Sequence, residues 1–190
     1  MILNGEIDAP NVYGVLTDDS ACVYKAVAKL AEDGVKRILH FYHSNSYSGK
    51  KKLEGYRKGV KAYKLQEDED LLQFYEDSLQ DIPKMAEYLM RLWDGGVKFE
   101  GIITSDDELA LGAVKFAKKA GLKIPEDLEV IGYSNSMLAT CGVLELTSVD
   151  IRLEKLCQHL ISSLLRVFEG EEIPQQAYFT GELIERETTL

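Results

Sequence analysis

The chain has 190 residues, of which 45% are apolar and 28% charged, and carries a net charge of −10. That length supports one sizeable domain or two small lobes with a real hydrophobic core. The acidity argues against direct nucleic-acid binding, which needs a basic face to release counterions from phosphate; the one basic cluster, Lys50-Lys51-Lys52 with Arg57 and Lys58, sits inside an acidic whole.

The chain opens on Met1-Ile-Leu-Asn-Gly-Glu-Ile-Asp8, without the basic start or small-residue cleavage site of a secretory signal. Residues 12–16 read as a strand. Residues 18–33 predict a helix with Cys22, Val23, Ala26, Val27 and Leu30 on its apolar face and Gly34 closing it. Residues 37–43 form an apolar and aromatic strand, 51–64 a second helix and 71–75 a short strand. The acidic run Glu67-Asp-Glu-Asp70 between them reads as a solvated loop. Residues 82–93 predict a third helix, closed by Gly95-Gly96.

Residues 101–104 are a buried strand that stops at Thr104-Ser105-Asp106-Asp107, a group of helix-capping residues. A fourth helix follows over 107–119, with Leu109, Ala110, Ala113, Val114 and Ala117 on one side, and then a strand over 128–133. After the strand-like Leu146-Thr-Ser-Val149 comes an i, i+3, i+4 stripe of Leu153, Leu156, Cys157, Leu160, Ile161, Leu164, Leu165 and Phe168, ending at Gly170. His159 falls off that stripe and reads as exposed. Residues 176–185 read as one last strand. Alternating βα units with near-continuous apolar strands predict an α/β fold built on a doubly wound parallel sheet. No apolar run approaches the ~20 residues needed to span a bilayer.

The catalytic motifs searched for are absent: no G-x-G-x-x-G, Walker loop, G-x-S-x-G or H-E-x-x-H. Cys22, Cys141 and Cys157 match neither a zinc spacing nor a disulfide framework, which fits a reducing cytoplasm. His40 and His43 share a strand face but are too few to define a metal site. The pairs Asp18-Asp19 and Asp106-Asp107 each stand at a predicted helix start, where one Asp serves as N-cap. No catalytic residue, metal or cofactor is therefore expected. Polar residues instead gather at strand ends: Thr17-Asp18-Asp19, Ser44-Asn45-Ser46, Thr104-Ser105-Asp106 and Ser134-Asn135-Ser136. In a parallel sheet these line one edge, where polar ligands bind.

The segments 105–113, 121–133 and Leu146-Thr-Ser-Val149 resemble the effector-binding core of LacI/GalR-type transcriptional regulators. Lys52-Leu-Glu-Gly-Tyr56 is similar to the family's Arg-leading R-L-x-G-[FYW] helix, and residues 18–34 and Arg186-Glu-Thr-Thr189 also fit. The resemblance runs through the whole chain in order. It implies two lobes of periplasmic-binding-protein type I, with residues 1–17 and 150–180 as remnants of the first lobe and 18–149 with 181–190 as the second. The family's helix-turn-helix and the first lobe's opening units have no counterpart here, so the chain reads as a fragment whose DNA contact would come only through the absent amino-terminal domain. The exposed stripe of the 153–168 helix is then expected to pack on another copy or a displaced strand, making a homodimer.

The resemblance also implies a binding set. Lys52 stands at the family's helix-leading arginine, Asp106 at the Asn of its A-N-D pattern, and Ser134 at the Asp of its G-[FY]-D pattern. Leu153 takes the apolar position on the return crossover, and Asn4 is a candidate from the first lobe. The effector implied is a small, sugar-like polar metabolite, with Asp106 as main acceptor, Lys52 as donor and Asp107 as the helix cap. The implied function is effector sensing in a cytoplasmic, membrane-free regulator. The alternatives are the sugar-binding component of an ABC-type transporter, or an enzyme of flavodoxin-like or response-regulator-like type with an acidic metal pocket at Asp18-Asp19.

Overall fold

The computed structural model describes residues 1–5, 9, 11–42, 46–75 and 81–190. The strands are β1 (Ile2–Leu3), β2 (Gly14–Thr17), β3 (Ile38–Tyr42), β4 (Leu72–Phe74), β5 (Gly101–Ile103), β6 (Glu129–Tyr133), β7 (Thr147–Asp150), β8 (Gln176–Phe179) and β9 (Glu182–Ile184). The helices are α1 (Asp19–Glu32), α2 (Tyr47–Ala62), α3 (Ile82–Asp94), α4 (Asp107–Ala120) and α5 (Leu153–Phe168). The strands form two sheets, one ordered β1-β2-β8 and the other β4-β3-β5-β6-β7-β9. All pairings are parallel except β7 with β9, which is antiparallel.

The larger sheet is covered on both faces, and strand alternation decides which side chain serves which face. Leu39, Phe41, Ile102 and Val130 meet Met85, Leu89, Leu109 and Phe116 of α3 and α4. Ile38, Ile103, Ile131 and Tyr133 meet Val23, Val27, Leu30 and Val60 of α1 and α2. Trp93, Phe99 and Phe116 close the far end of the first layer, with ring centroids 5.2 to 5.8 Å apart. Each fully buried large apolar side chain in these layers contributes on the order of 2 kcal/mol.

The chain passes between the two sheets three times: after β2 at Thr17–Asp18, after β7 at residues 150–153, and after β8 at residues 180–181. Asp18 N donates to the Phe179 carbonyl (2.8 Å), Lys25 Nζ reaches the Gly181 carbonyl (3.4 Å), and Arg152 pairs with Glu182. These contacts tie the crossovers together.

Three expectations need correction. The strand expected over 176–185 is two strands in two sheets, because the chain breaks at Gly181. A Cβ at Gly181 would come within 2.8 Å of both the Asp150 carbonyl and Cys22 Sγ. Helix α2 begins a turn earlier than residue 51, because Ser46 caps it by accepting from Gly49 N (2.8 Å). His159 is half-buried rather than exposed: its ring stands edge-on to Phe179 with centroids 5.1 Å apart, turned toward the small sheet. The other side of α5 is open, with Leu153, Ile161, Leu165 and Phe168 between 53% and 78% exposed. His43, Ser44 and Asn45 lie outside the described residues.

Candidate functional site

At the carboxyl end of β5 the backbone turns through Thr104 and Ser105 into α4. Thr104 Oγ1 donates to the Asp106 carbonyl (2.7 Å) and Ser105 Oγ to the Phe41 carbonyl (2.9 Å), which fixes this turn against β3. Asp106, not Asp107, is the cap: its carboxylate accepts from Leu109 N at 2.8 Å. The assignment of Asp107 as cap is thus reversed. Asp107 is the first helical residue and is buried. It accepts from Ser148 Oγ (2.6 Å) and from Ser136 N and Oγ (2.7 and 2.8 Å), stitching α4 to β7 and to the loop after β6. Asp106 remains half-buried, and desolvation pushes its carboxyl pKa up.

Lys52 reaches the same strand end from the second turn of α2. Its Nζ donates to the Ser105 carbonyl (2.8 Å) and lies 3.7 Å from the centroid of the Tyr133 ring, a close cation–π contact. The side chain is 7% exposed, and burial pushes its ammonium pKa down against the pull of Asp19 and Asp106. Tyr133 in turn donates its hydroxyl to Asp19, the first residue of α1, while Asp18 caps that helix by accepting from Ala21 N (2.9 Å). Burial first, and the Asp19 charge second, hold the Tyr133 phenol well above its ordinary pKa. Lys52, Tyr133 and Asp19 thus form a buried chain from the β5 end to the first crossover.

The five residues selected from sequence fall into two groups. Lys52 and Asp106 meet at the β5 end, and Ser134 follows Tyr133, exposed, with φ +93. Asn4 is at the end of β1, where its Oδ1 accepts from Thr17 N (2.8 Å) and so supports the first crossover. Leu153 opens α5 and is 53% exposed. A cavity of about 540 Å³ lies on the Asp18 side, lined by Thr17, Asp19, Tyr24, Tyr47, Glu54 and Tyr178 among others; none of the five borders it. Sequence reasoning missed the partnership of Asp19 with Tyr133 and of Asp107 with two serines. The doubled aspartates were the available signal, since only one of each pair can cap.

His40 is fully buried in β3. Its Nδ1 lies 3.1 Å from the Ile103 carbonyl and its ring stacks on Tyr56 with centroids 5.0 Å apart. Desolvation lowers its pKa to about 4, which makes it a neutral core residue. Among the described residues no three His, Cys, Asp or Glu side chains come together as a metal site, and no helix is long and apolar enough to cross a membrane.

Residues 27–189 match the family described as periplasmic binding protein-like domain. An HTH-type transcriptional regulator of Lachnoclostridium phytofermentans is 41% identical over the whole chain. The HTH-type transcriptional regulator AscG of Escherichia coli is 27% identical, also over the whole chain. The chain spans 56% of the length of each of these relatives. A sugar-binding transcriptional regulator of the LacI family from Escherichia coli, solved in complex with phosphate, superposes with a TM-score of 0.88 at 27% identity. That alignment covers 100% of this chain and 68% of that one. These relatives are regulators, neither enzymes nor transporter components. The chain belongs to the periplasmic-binding-protein-like domain family and is similar along its whole length to LacI-type transcriptional regulators.

Proposed function

We propose that these residues are the effector-sensing part of a LacI-type regulator. The effector is a small, sugar-like polar metabolite held at the strand ends, with Asp106 as main acceptor and Ser134 and Leu153 flanking it. The small sheet with α5 acts as one lobe (residues 1–17 and 150–180). The large sheet acts as the other (18–149 and 181–190), with Asn4 at the junction. The observation that carries the reading is the chain Lys52–Tyr133–Asp19, which links the Asp106 turn to the first crossover. A ligand that favours one arrangement of the two sheets over the other shifts their population, and this chain is the mechanical path by which it does so. The 27%-identical solved regulator is itself described as sugar-binding, which supports the effector class. DNA reading belongs to the part of the longer relatives that these residues do not span. Dimerisation through exposed apolar surface and a cytoplasmic location complete the proposal.

The test is thermal melting of the chain against a panel of neutral mono- and disaccharides. A binder raises the melting temperature as RT ln(1 + [L]/Kd). Asp106→Ala should abolish that rise. An undiminished rise in the variant refutes the site.

A further inference from the structure

The cavity of about 540 Å³ on the Asp18 side is bordered by none of the residues proposed to hold the effector, and it has a built floor. Its most buried lining residues are Thr17 and Asp19, each 2% exposed, with Ser20 beside them. Among the described residues, Thr17 Oγ1 and Asp19 Oδ2 are buried and find no hydrogen-bond partner. Thr17 N donates to Asn4, and the other Asp19 oxygen accepts from the Tyr133 hydroxyl, so both residues are fixed in place. A buried oxygen left unpaired is costly, and a donor arriving through the cavity removes that cost.

The walls are aromatic. Tyr24 comes from the second turn of α1, Tyr47 opens α2, and Tyr178 comes from β8, the edge strand of the small sheet. Tyr24 and Tyr47 are half-buried, while Tyr178 is exposed at the mouth. Charges at the rim meet one another: Glu54 pairs with Lys51 at 3.1 Å and with Lys58 at 2.6 Å, and Asp18 uses one oxygen on the α1 cap. With Asp18, Asp19 and Glu54 set against Lys51 and Lys58, the lining gives neither an anion nor a cation a clear advantage.

Size and polarity then narrow the ligand. The volume lies within the range of small-molecule sites. Tyrosine rings favour a flat ring packed on them, and the floor offers one acceptor-only carboxylate oxygen and one hydroxyl. A hexose would bring several hydroxyls to two buried partners, whereas a planar ring with a single edge donor leaves no group unpaired. We infer that this cavity is a second small-molecule site, distinct from the effector set. It takes a flat, neutral aromatic ligand that packs on the tyrosines and gives an N–H or O–H to Asp19 Oδ2, with Thr17 Oγ1 beside it. The inference stands independently of the effector-sensing proposal.

The test is NMR titration of the isotope-labelled chain with ring compounds matched to keep or lose the donor: indole and N-methylindole, phenol and anisole, benzamide and N,N-dimethylbenzamide, with glucose as the non-aromatic control. At least one donor-bearing ring should shift the amides of residues 17–24, 47–58 and 176–179. It should bind roughly tenfold or more tightly than its methylated partner, which leaves the buried acceptor unpaired. Tyr178→Ala, a change at an exposed side chain, should weaken that binding. Asp19→Asn, which can still accept from Tyr133 but places an amide N–H where Oδ2 stood, should erase the donor preference. Shifts centred on residues 104–107 and 134–136 would assign the ring to the effector set and overturn the second site. Equal binding of the methylated partner, a donor preference that survives Asp19→Asn, or binding untouched by Tyr178→Ala would each overturn it. So would stronger binding of glucose at these amides, or no shift with any ring.

Discussion

Burial holds His40 neutral, with its pKa lowered from 6.5 to about 4, whereas burial and the neighbouring Asp33 raise the Glu129 carboxyl to about 7. The signs are opposite. For His40 the unfolded chain takes up a proton that the folded chain refuses. Its contribution is complete above pH 6.5 and is lost as the pH falls towards 4, at a cost of up to about 3 kcal/mol. For Glu129 the folded chain holds the proton more tightly, so its contribution is present below pH 4.5 and fades as the pH rises through 7. Urea midpoints measured across this range should therefore show Glu129→Gln flattening the neutral limb and His40→Asn flattening the acid limb. Unchanged slopes in both variants would contradict these assignments. Asp107 is a separate case. Asp107→Ala strands Ser136 N, Ser136 Oγ and Ser148 Oγ, and should cost about 3 kcal/mol or more in chemical denaturation. Asp106→Asn, which keeps its cap, should cost far less than Asp107→Ala in the same assay.

At the level of elements, α1 and α2 lie close because Gly55 leaves room for the Ser20 backbone; a Cβ at Gly55 would collide with the Ser20 carbonyl. Gly55→Ala should push the helices apart and lower stability by about 2 kcal/mol or more, read as a fall in the melting temperature. Helix α5 has the opposite problem, an excess of apolar surface. Leu156 and Ser163 are buried, while Leu153, Ile161, Leu165 and Phe168 are open to solvent. A contiguous apolar stripe of this kind favours association. Sedimentation should show concentration-dependent self-association that Ile161→Lys with Leu165→Glu removes; a wild-type chain that stays monomeric at every concentration would contradict it. The span of α5 was fully legible from its 3.6-residue periodicity, because nothing in the sequence competes with that signal. The division of residues 176–185 was not, because β-pattern residues continue across Gly181 and only the choice of sheet separates them. The early start of α2 was signalled by Ser46, which reads equally well as a strand-end polar residue.

Across the whole molecule the parallel α/β architecture was readable because the central strands β3, β5 and β6 place apolar side chains on both faces of the large sheet and each helix is apolar on one. The site was only partly readable. Position along the chain brings Lys52, Asp106 and Ser134 to one sheet edge, but it does not say which way a side chain turns. Lys52 goes inward because a ring face and a carbonyl are there to receive its charge, and Asp106 takes the cap because it precedes the helix while Asp107 is already inside it. The partners that decide these roles, Tyr133 and the Ser136–Ser148 pair, lie 29 to 81 residues away in sequence, beyond the reach of local pattern. Amide hydrogen exchange of the chain, with and without the saccharide that raises its melting temperature most, tests the placement of the effector most directly. Protection should concentrate at residues 104–107, 134–136 and the crossovers at 17–19 and 150–153. Protection confined to the cavity between Tyr24, Tyr47 and Glu54, or no change at the strand ends, would contradict it.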